Sequence, residues 1–237
     1  MKRTLFVSYS HDNIDQDKLN YLLDQIEKKG RSTVRVLIDM KEVRLGGSFA
    51  DYMALIDSYS VDAVLMILTP TYKTKISRNE GNVPPEFKAI MARYEDDKQS
   101  YLGHPHSELS VYNNVRQFGV LPVLFQGIPS ESLPDRIREE SLRYFNAVDA
   151  VVHKDRDGKL IPTTSASKVL GELADLIVVE LKNIAKQKDR EYQDRRARIR
   201  QALFANTKAG ANPGLEAEVF ARTMTYQRVL NQESYFI

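Results

Sequence analysis

The chain has 237 residues, 42% hydrophobic and 28% charged, enough to bury a core as one domain with an extension or as two small domains. It contains no cysteine, which excludes disulfides and thiolate metal sites, and no apolar run of roughly 18 residues, which leaves no candidate spanning helix. The net charge is +2; residues 186–237 carry ten Lys/Arg against six Asp/Glu and the rest is slightly acidic, so overall charge makes no case for a nucleic-acid binder.

Met1-Lys2-Arg3 leads directly into Thr4 to Tyr9, an apolar and β-branched run that reads as a buried central strand. It is too short for a signal peptide, so the chain is expected to be cytoplasmic. Ser8 to Asn13 breaks the run, with Asp12 or Asn13 expected to cap a helix. Leu19, Leu22, Leu23 and Ile26 supply its apolar face, and Lys28-Lys29-Gly30 its end.

Val34 to Ile38 reads as a second strand, and Asp39 to Gly47 as a charged loop ending in two glycines. Ser48 with Asp51 forms a capping-box pattern, so a helix buried through Phe49, Met53 and Ile56 is expected next. Val61 to Leu68 is the most apolar run and reads as a central parallel strand, ended by Thr69-Pro70. Thr71 to Pro84 reads as a polar loop. Pro85 suits a first helical position, where a missing N–H costs nothing. Phe87, Ile90, Met91 and Tyr94 mark an apolar helical stripe. Glu95 to Asn114 lacks periodicity and reads as a long loop.

Gly119 to Phe125 reads as a fourth strand, with Pro122 placing it near an edge or marking its start. Asp135 to Leu142 is a short helix candidate, Ala147 to Val152 a fifth strand, and Asp155 to Gly158 a turn. Leu170, Leu173, Ile177, Leu181 and Ile184 define a strong helix from about Ser167. Lys186 to Arg200 holds seven basic and three acidic residues and continues that helix as a solvated arm. Ala209 to Gly214 is a break. Leu215 to Ile237 is a candidate last helix. The domain boundary is placed near residue 185.

Strands alternating with helices predict an open parallel sheet covered on both faces, an α/β fold. Five such units are met most simply by a flavodoxin-like order, 2-1-3-4-5, with ligands beyond the C-terminal strand ends. That order gathers the loops Ser8–Asn13, Asp39–Gly47 and Thr71–Pro84 at one edge. Glu86 follows the last of them, at the start of a helix. A glutamate there is also an ordinary helix opening.

Four stretches carry a resemblance to a known family. Leu5-Phe6-Val7-Ser8-Tyr9-Ser10 is similar to the opening strand of TIR (Toll/interleukin-1 receptor) and SEFIR domains. Ile38-Asp39 with Leu45-Gly46-Gly47 resembles their second strand and BB loop. Val64 to Tyr72 resembles their third strand with its Thr-Pro-x-Tyr continuation, and Val120 to Phe125 their Ile-Pro-Val-Leu-Phe strand. The resemblance covers roughly residues 1–185. It implies one of two roles. Many relatives cleave NAD at the nicotinamide–ribose bond, often as bacterial antiphage effectors. Others are non-catalytic adaptors that signal by stacking on like domains. The catalytic relatives use a glutamate early in the third helix, where this chain has Glu86. Four residues earlier they often carry tryptophan; this chain has Asn82 there and no tryptophan anywhere.

The implied chemistry suits one carboxylate. Nicotinamide leaves as a neutral group from a cationic pyridinium, and the ribose develops oxocarbenium character that a carboxylate stabilises. A helix N-terminus favours the ionised form this requires. Glu80 is the second carboxylate of the region. Ser8, Tyr9, Ser10 and His11 are candidates for ribose or phosphate contacts, although Ser8 and Ser10 equally suit capping a strand end. Asp39, Lys41, Arg44 and Gly46 are candidates for the opposite wall, with Arg44 a phosphate partner, although charged loops are commonly only solvated. Tyr72 is a candidate for stacking on a base and Asn82 for a substrate contact. No metal and no cofactor is expected, NAD+ being the substrate. His104-Pro105-His106 reads as surface loop. Expected partners are NAD+ and further copies of the chain, with residues 186–237 an oligomerisation or sensor module. The adaptor alternative works through Asp39–Gly47 and predicts binding that Arg44 or Leu45 substitutions destroy. A receiver-like phosphoacceptor is set aside, because the third strand ends in Thr69-Pro70 rather than aspartate.

Overall fold

A computed structural model describes residues 2–38, 56, 61–102 and 119–208. The chain falls into two units, Met1–Ala185 and Lys186–Ile237. In the first, strands β1 (Arg3–Ser8), β2 (Val34–Leu37), β3 (Ala63–Leu68), β4 (Val120–Leu124) and β5 (Phe145–Asn146) form one sheet. Its order is β2-β1-β3-β4-β5 and all four pairings are parallel, the flavodoxin-like arrangement. The most apolar run of the sequence lies in the middle, and all six residues of β3 are buried. A strand covered on both faces has no polar side to alternate with, hence its unbroken Ala-Val-Leu-Met-Ile-Leu.

Alternate side chains divide the core into two clusters. Leu5, Val7, Leu65 and Ile67 face helix α1 (Gln16–Gly30) and the apolar stripe Leu170–Ile184 of a long helix. Phe6, Val64, Met66 and Leu68 face the other way, onto helices α2 (Pro70–Arg78) and α3 (Val83–Leu102). Two short helices follow β4, α4 (Pro129–Ser132) and α5 (Asp135–Glu139). A hairpin of β6 (Val152–Lys154) and β7 (Leu160–Pro162) makes a second, antiparallel sheet. The long helix α6 (Thr164–Lys208) completes the description.

The cap of α1 is Asp15, whose side chain accepts from the Lys18 N–H, rather than Asp12 or Asn13. Asn13 takes a left-handed φ of 57° and lengthens the turn by two residues, while Asp12 pairs with Lys75 instead. At the other end Gly30 is the last residue of α1 and Arg31 follows with a positive φ of 47°. Gly30 serves a close approach: a Cβ there would lie 2.5 Å from Val34 Cγ2.

Two expected loops are helical. Thr71–Pro84 is largely α2, capped by Thr69 and with Pro70 in its first turn. Its apolar face amounts to Tyr72 and half of Ile76, too little to leave a stripe in the sequence. The expected loop from Glu95 is helical through Leu102; its remainder, with His104 and His106, lies outside the described residues. That last part of α3 is held by ion pairs, Arg136 to Glu95 at 2.5 Å and Lys98 to Glu140 at 2.6 Å, which leave no hydrophobic period.

The expected fifth strand, 147–152, is also corrected. The strand is Phe145–Asn146 alone, because the Asn146 side chain accepts from the Val148 N–H and turns the chain. Val152 joins the hairpin instead, whose tip is the expected turn, with Asp155 Oδ1 accepting from the Asp157 and Lys159 N–H groups. Pro122 sits inside β4, opposite Met66. Gly119 and Phe125 bond β3, and Leu124 bonds the segment after β5. By the alternation of a ladder, Pro122 turns its missing N–H to the β5 side. There β5 pairs only with Val123 and Leu124, so the proline removes no bond from that pairing.

Of the expected helix after Ser48, only Ile56 is described; it is helical and buried. Asp39–Gly47, Phe49, Met53, Ala209–Gly214 and the segment from Leu215 lie outside the described residues.

Candidate functional site at the carboxyl edge of the sheet

The turn after β1 and helix α2 after β3 meet beyond the C-terminal strand ends. Ser8, the last residue of β1, places its Oγ 2.8 Å from the Tyr72 hydroxyl, and both residues are buried. Further out, Lys75 of α2 pairs with Asp12 at 2.7 Å and holds that carboxyl below its usual range. Tyr72 stands in the first turn of α2, where its N–H donates to Thr69 Oγ at 3.1 Å.

Glu86 occupies the first turn of α3. The turn opens at Val83, two residues before the expected Pro85, so Pro84 and Pro85 both lie where no helical N–H bond is due. The Glu86 N–H bonds the Asn82 carbonyl at 3.3 Å. Gly81 precedes this turn with φ +68°. Glu86 is only 6% exposed, in contrast to Glu80, which lies on the surface at 3.9 Å from Arg78. A carboxylate in the first turn gains from the aligned peptide dipoles, by roughly 0.3–1 kcal/mol at an exposed site and more where water is excluded.

Tyr72 links these pieces. Its ring is fully buried and meets Phe87 edge-on, centroids 6.5 Å apart at 82°. Burial pushes its hydroxyl far above the usual phenol range, and the nearby Glu86 charge adds to the rise, opposed by the Ser8 hydrogen bond. The expectation that Tyr72 stacks on a base is therefore corrected: no face of the ring is open to one. The other residues named from sequence are placed as follows. Tyr9 and Ser10 are buried, and Ser10 Oγ has no hydrogen-bond partner among the described residues. His11 is exposed, its ring 4.6 Å from that of Tyr9. Asn82 is exposed at the mouth of α3. Asp39, Arg44 and Gly46 lie outside the described residues.

Two buried cations that the sequence reading passed over support this edge and the opposite one. Lys18 is 2% exposed; its Nζ donates to the Phe125 carbonyl at 2.8 Å and the Val148 carbonyl at 3.2 Å, over the Phe125 ring. Burial lowers it to about 8, against the pull of Asp15 and Asp149. It thus fixes the chain leaving β4 and β5. Arg93, two turns past Glu86 on α3, donates to the carbonyls of Val61 at 2.7 Å and Ile56 at 3.3 Å. The available signal was position: Lys18 is four residues before Leu22 and Arg93 three after Ile90, each on an apolar stripe where a charge requires a partner. Among the described residues, no group of three His, Asp or Glu is arranged to hold a metal ion, and no helix is long and apolar enough to cross a membrane.

No protein-family model matches the chain, and no curated protein matches it. A crystal structure of a prokaryotic SEFIR domain is similar to it, with a TM-score of 0.40 and 20% sequence identity, over 74% of this chain and 92% of that one.

Proposed function

We propose that the chain is a TIR/SEFIR-type NAD+ glycohydrolase with Glu86 as its catalytic carboxylate. The observation that carries this reading is the burial of Glu86 in the first turn of α3, at the carboxyl edge of a 2-1-3-4-5 sheet beside the Ser8–Tyr72 contact. The four sequence stretches that resemble the family support it.

In the proposed reaction the bond between ribose C1′ and the pyridinium nitrogen breaks. Its electron pair leaves with nicotinamide, which departs neutral. Glu86 faces the positive charge left on the ribose and accepts hydrogen bonds from its hydroxyls. Water then adds at C1′ and loses a proton, giving ADP-ribose; attack by an adenine nitrogen instead gives a cyclic product. His11 and Asn82 lie exposed along the same edge as candidate contacts, and Asp39, Arg44 and Gly46 are proposed for the facing wall. Assembly of like domains completes the pocket in this reading, and its biological setting is bacterial antiphage defence.

The test is nicotinamide release from NAD+ by the purified chain over a wide range of protein concentrations. Release should rise more steeply than in proportion to concentration. Glu86→Gln should lower it about a hundred- to a thousandfold with the circular dichroism spectrum unchanged. Full activity in a folded Glu86→Gln protein would falsify the assignment. No NAD+ loss at any concentration leaves the adaptor role.

A further inference from the structure

We infer that a cleft beside α5 is a second ligand site, suited to a nucleoside monophosphate and separate from the Glu86 edge. The inference does not rest on the NAD+ reading.

The cleft has a volume of about 480 Å³, within the range of small-molecule sites, roughly 300–1,000 Å³. Its floor is apolar: Ile137 is buried, and Leu142 packs against the same core cluster. Its rim carries Arg138, Ser141, Arg143 and Tyr144. One turn gathers these residues. Helix α5 ends with the Leu142 N–H donating to the Ile137 carbonyl at 3.1 Å and the Ser141 N–H to the Arg138 carbonyl at 3.0 Å. This is a Schellman closure, whose left-handed position usually falls to glycine. Here Ser141 occupies it, at φ 52°. A side chain is kept where it strains the backbone, on a residue that lines the cleft.

The charges favour an anion. Arg143 is exposed and has no ion pair among the described residues. Arg138 pairs with Asp135, but that carboxylate also lies 3.8 Å from Lys73 Nζ and does not neutralise the guanidinium in full. Among the described residues no carboxylate lines the cleft, and the adjacent Glu140 is held by Lys98 at 2.6 Å. Two guanidinium groups match the double charge of a phosphate monoester and can grip it through paired N–H groups. Tyr144 is 38% exposed and supplies an aromatic ring on which a base can stack. The Ser141 hydroxyl is a partner for a ribose hydroxyl. Phosphate alone would leave the ring and the apolar floor uncovered, and a nucleoside alone would leave the guanidinium charge unused.

The segment that forms the cleft meets α3 at Lys98, through Glu140. Lys98 is twelve residues beyond Glu86, about 18 Å further along the helix. The cleft therefore lies away from the proposed catalytic carboxylate.

The experiment is calorimetric titration of the purified full chain with AMP, adenosine and inorganic phosphate, repeated as salt is raised. AMP should bind at least about tenfold more tightly than adenosine or phosphate, and its affinity should fall with salt. Arg143→Gln should weaken AMP binding about ten- to a hundredfold. Tyr144→Leu should weaken AMP more than phosphate. Ser141→Gly should weaken AMP binding while its thermal midpoint stays at or above that of the wild type, because glycine suits the left-handed position. Nicotinamide release from NAD+ should keep its kcat and KM in Arg143→Gln. No AMP binding by the folded wild-type chain overturns the inference. So does an AMP affinity equal in wild type and Arg143→Gln, which puts the nucleotide elsewhere. A KM for NAD+ that rises in step with the AMP dissociation constant also overturns it, since the cleft would then belong to the substrate site. If AMP binds as expected and the chain releases no nicotinamide, the second site stands and the NAD+ reading fails.

Discussion

Glu86 and Lys18 show how a buried charge is made tolerable in two different ways. Glu86 sits in the first turn of a helix, while Lys18 spends its protons on two backbone carbonyls and an aromatic face. Lys18 has a measurable pH signature. Its folded value of about 8 lies below the ordinary 10.5, so between those values the unfolded chain holds a proton that the folded chain has released. Stability contributed at this site therefore rises with pH across that window, and below pH 8 the cost of burying the charge is present in full. Lys18→Met should remove the rise. The check is the difference in thermal midpoint between wild type and variant at pH 7, 8 and 10: the wild type should gain on the variant as pH increases, and a constant difference would contradict it. Sequence placed Glu86 at a helix start from Pro84-Pro85-Glu86, and its neighbours gave no sign that it is buried. Its burial is a property of the folded chain, which residues close in the chain do not encode.

Elements are specified here to the extent that they carry an apolar period. The stripes of α1 and α6 and the run of β3 are legible because each buries a continuous face. Helix α2 is not, since it buries essentially Tyr72 alone and depends on its ends: Thr69 at the start and Asn79 in a left-handed conformation at the finish. Thr69→Ala should cost about 1 kcal/mol in chemical denaturation, as for other lost caps. Helix α1 has its weak point at Gly30. Gly30→Ala pushes a methyl into the Val34 side chain at the start of β2 and should destabilise by roughly 1–3 kcal/mol, seen as a lower urea midpoint with an unchanged slope. The surface pairs that extend α3, such as Arg136 with Glu95, are screened by water and add little, so Arg136→Ala should leave that midpoint nearly in place.

For the whole molecule, the division after Ala185 falls within helix α6, whose buried face in the first unit ends at Ile184. Among the described residues, a chain ended at Ala185 keeps every member of both core clusters. It should unfold cooperatively, with a thermal midpoint within a few degrees of the full chain; a molten, non-cooperative transition would show that residues 186–237 are part of the fold. The sequence by itself determined the α/β class and the order of the main strands. Two-sided burial of parallel strands and right-handed crossovers leave few other arrangements. Tertiary structure alone decided which polar residues at that edge are interior. It closed Tyr72 to ligands, separated Glu86 from Glu80, cut the fifth strand at Asn146 and gave Lys18 its partners. The physical reason is the same in each case. Local propensity and periodicity act over a few residues, whereas the environment of a polar group is set by contacts from far along the chain, 64 residues apart for Ser8 and Tyr72 and 107 for Lys18 and Phe125.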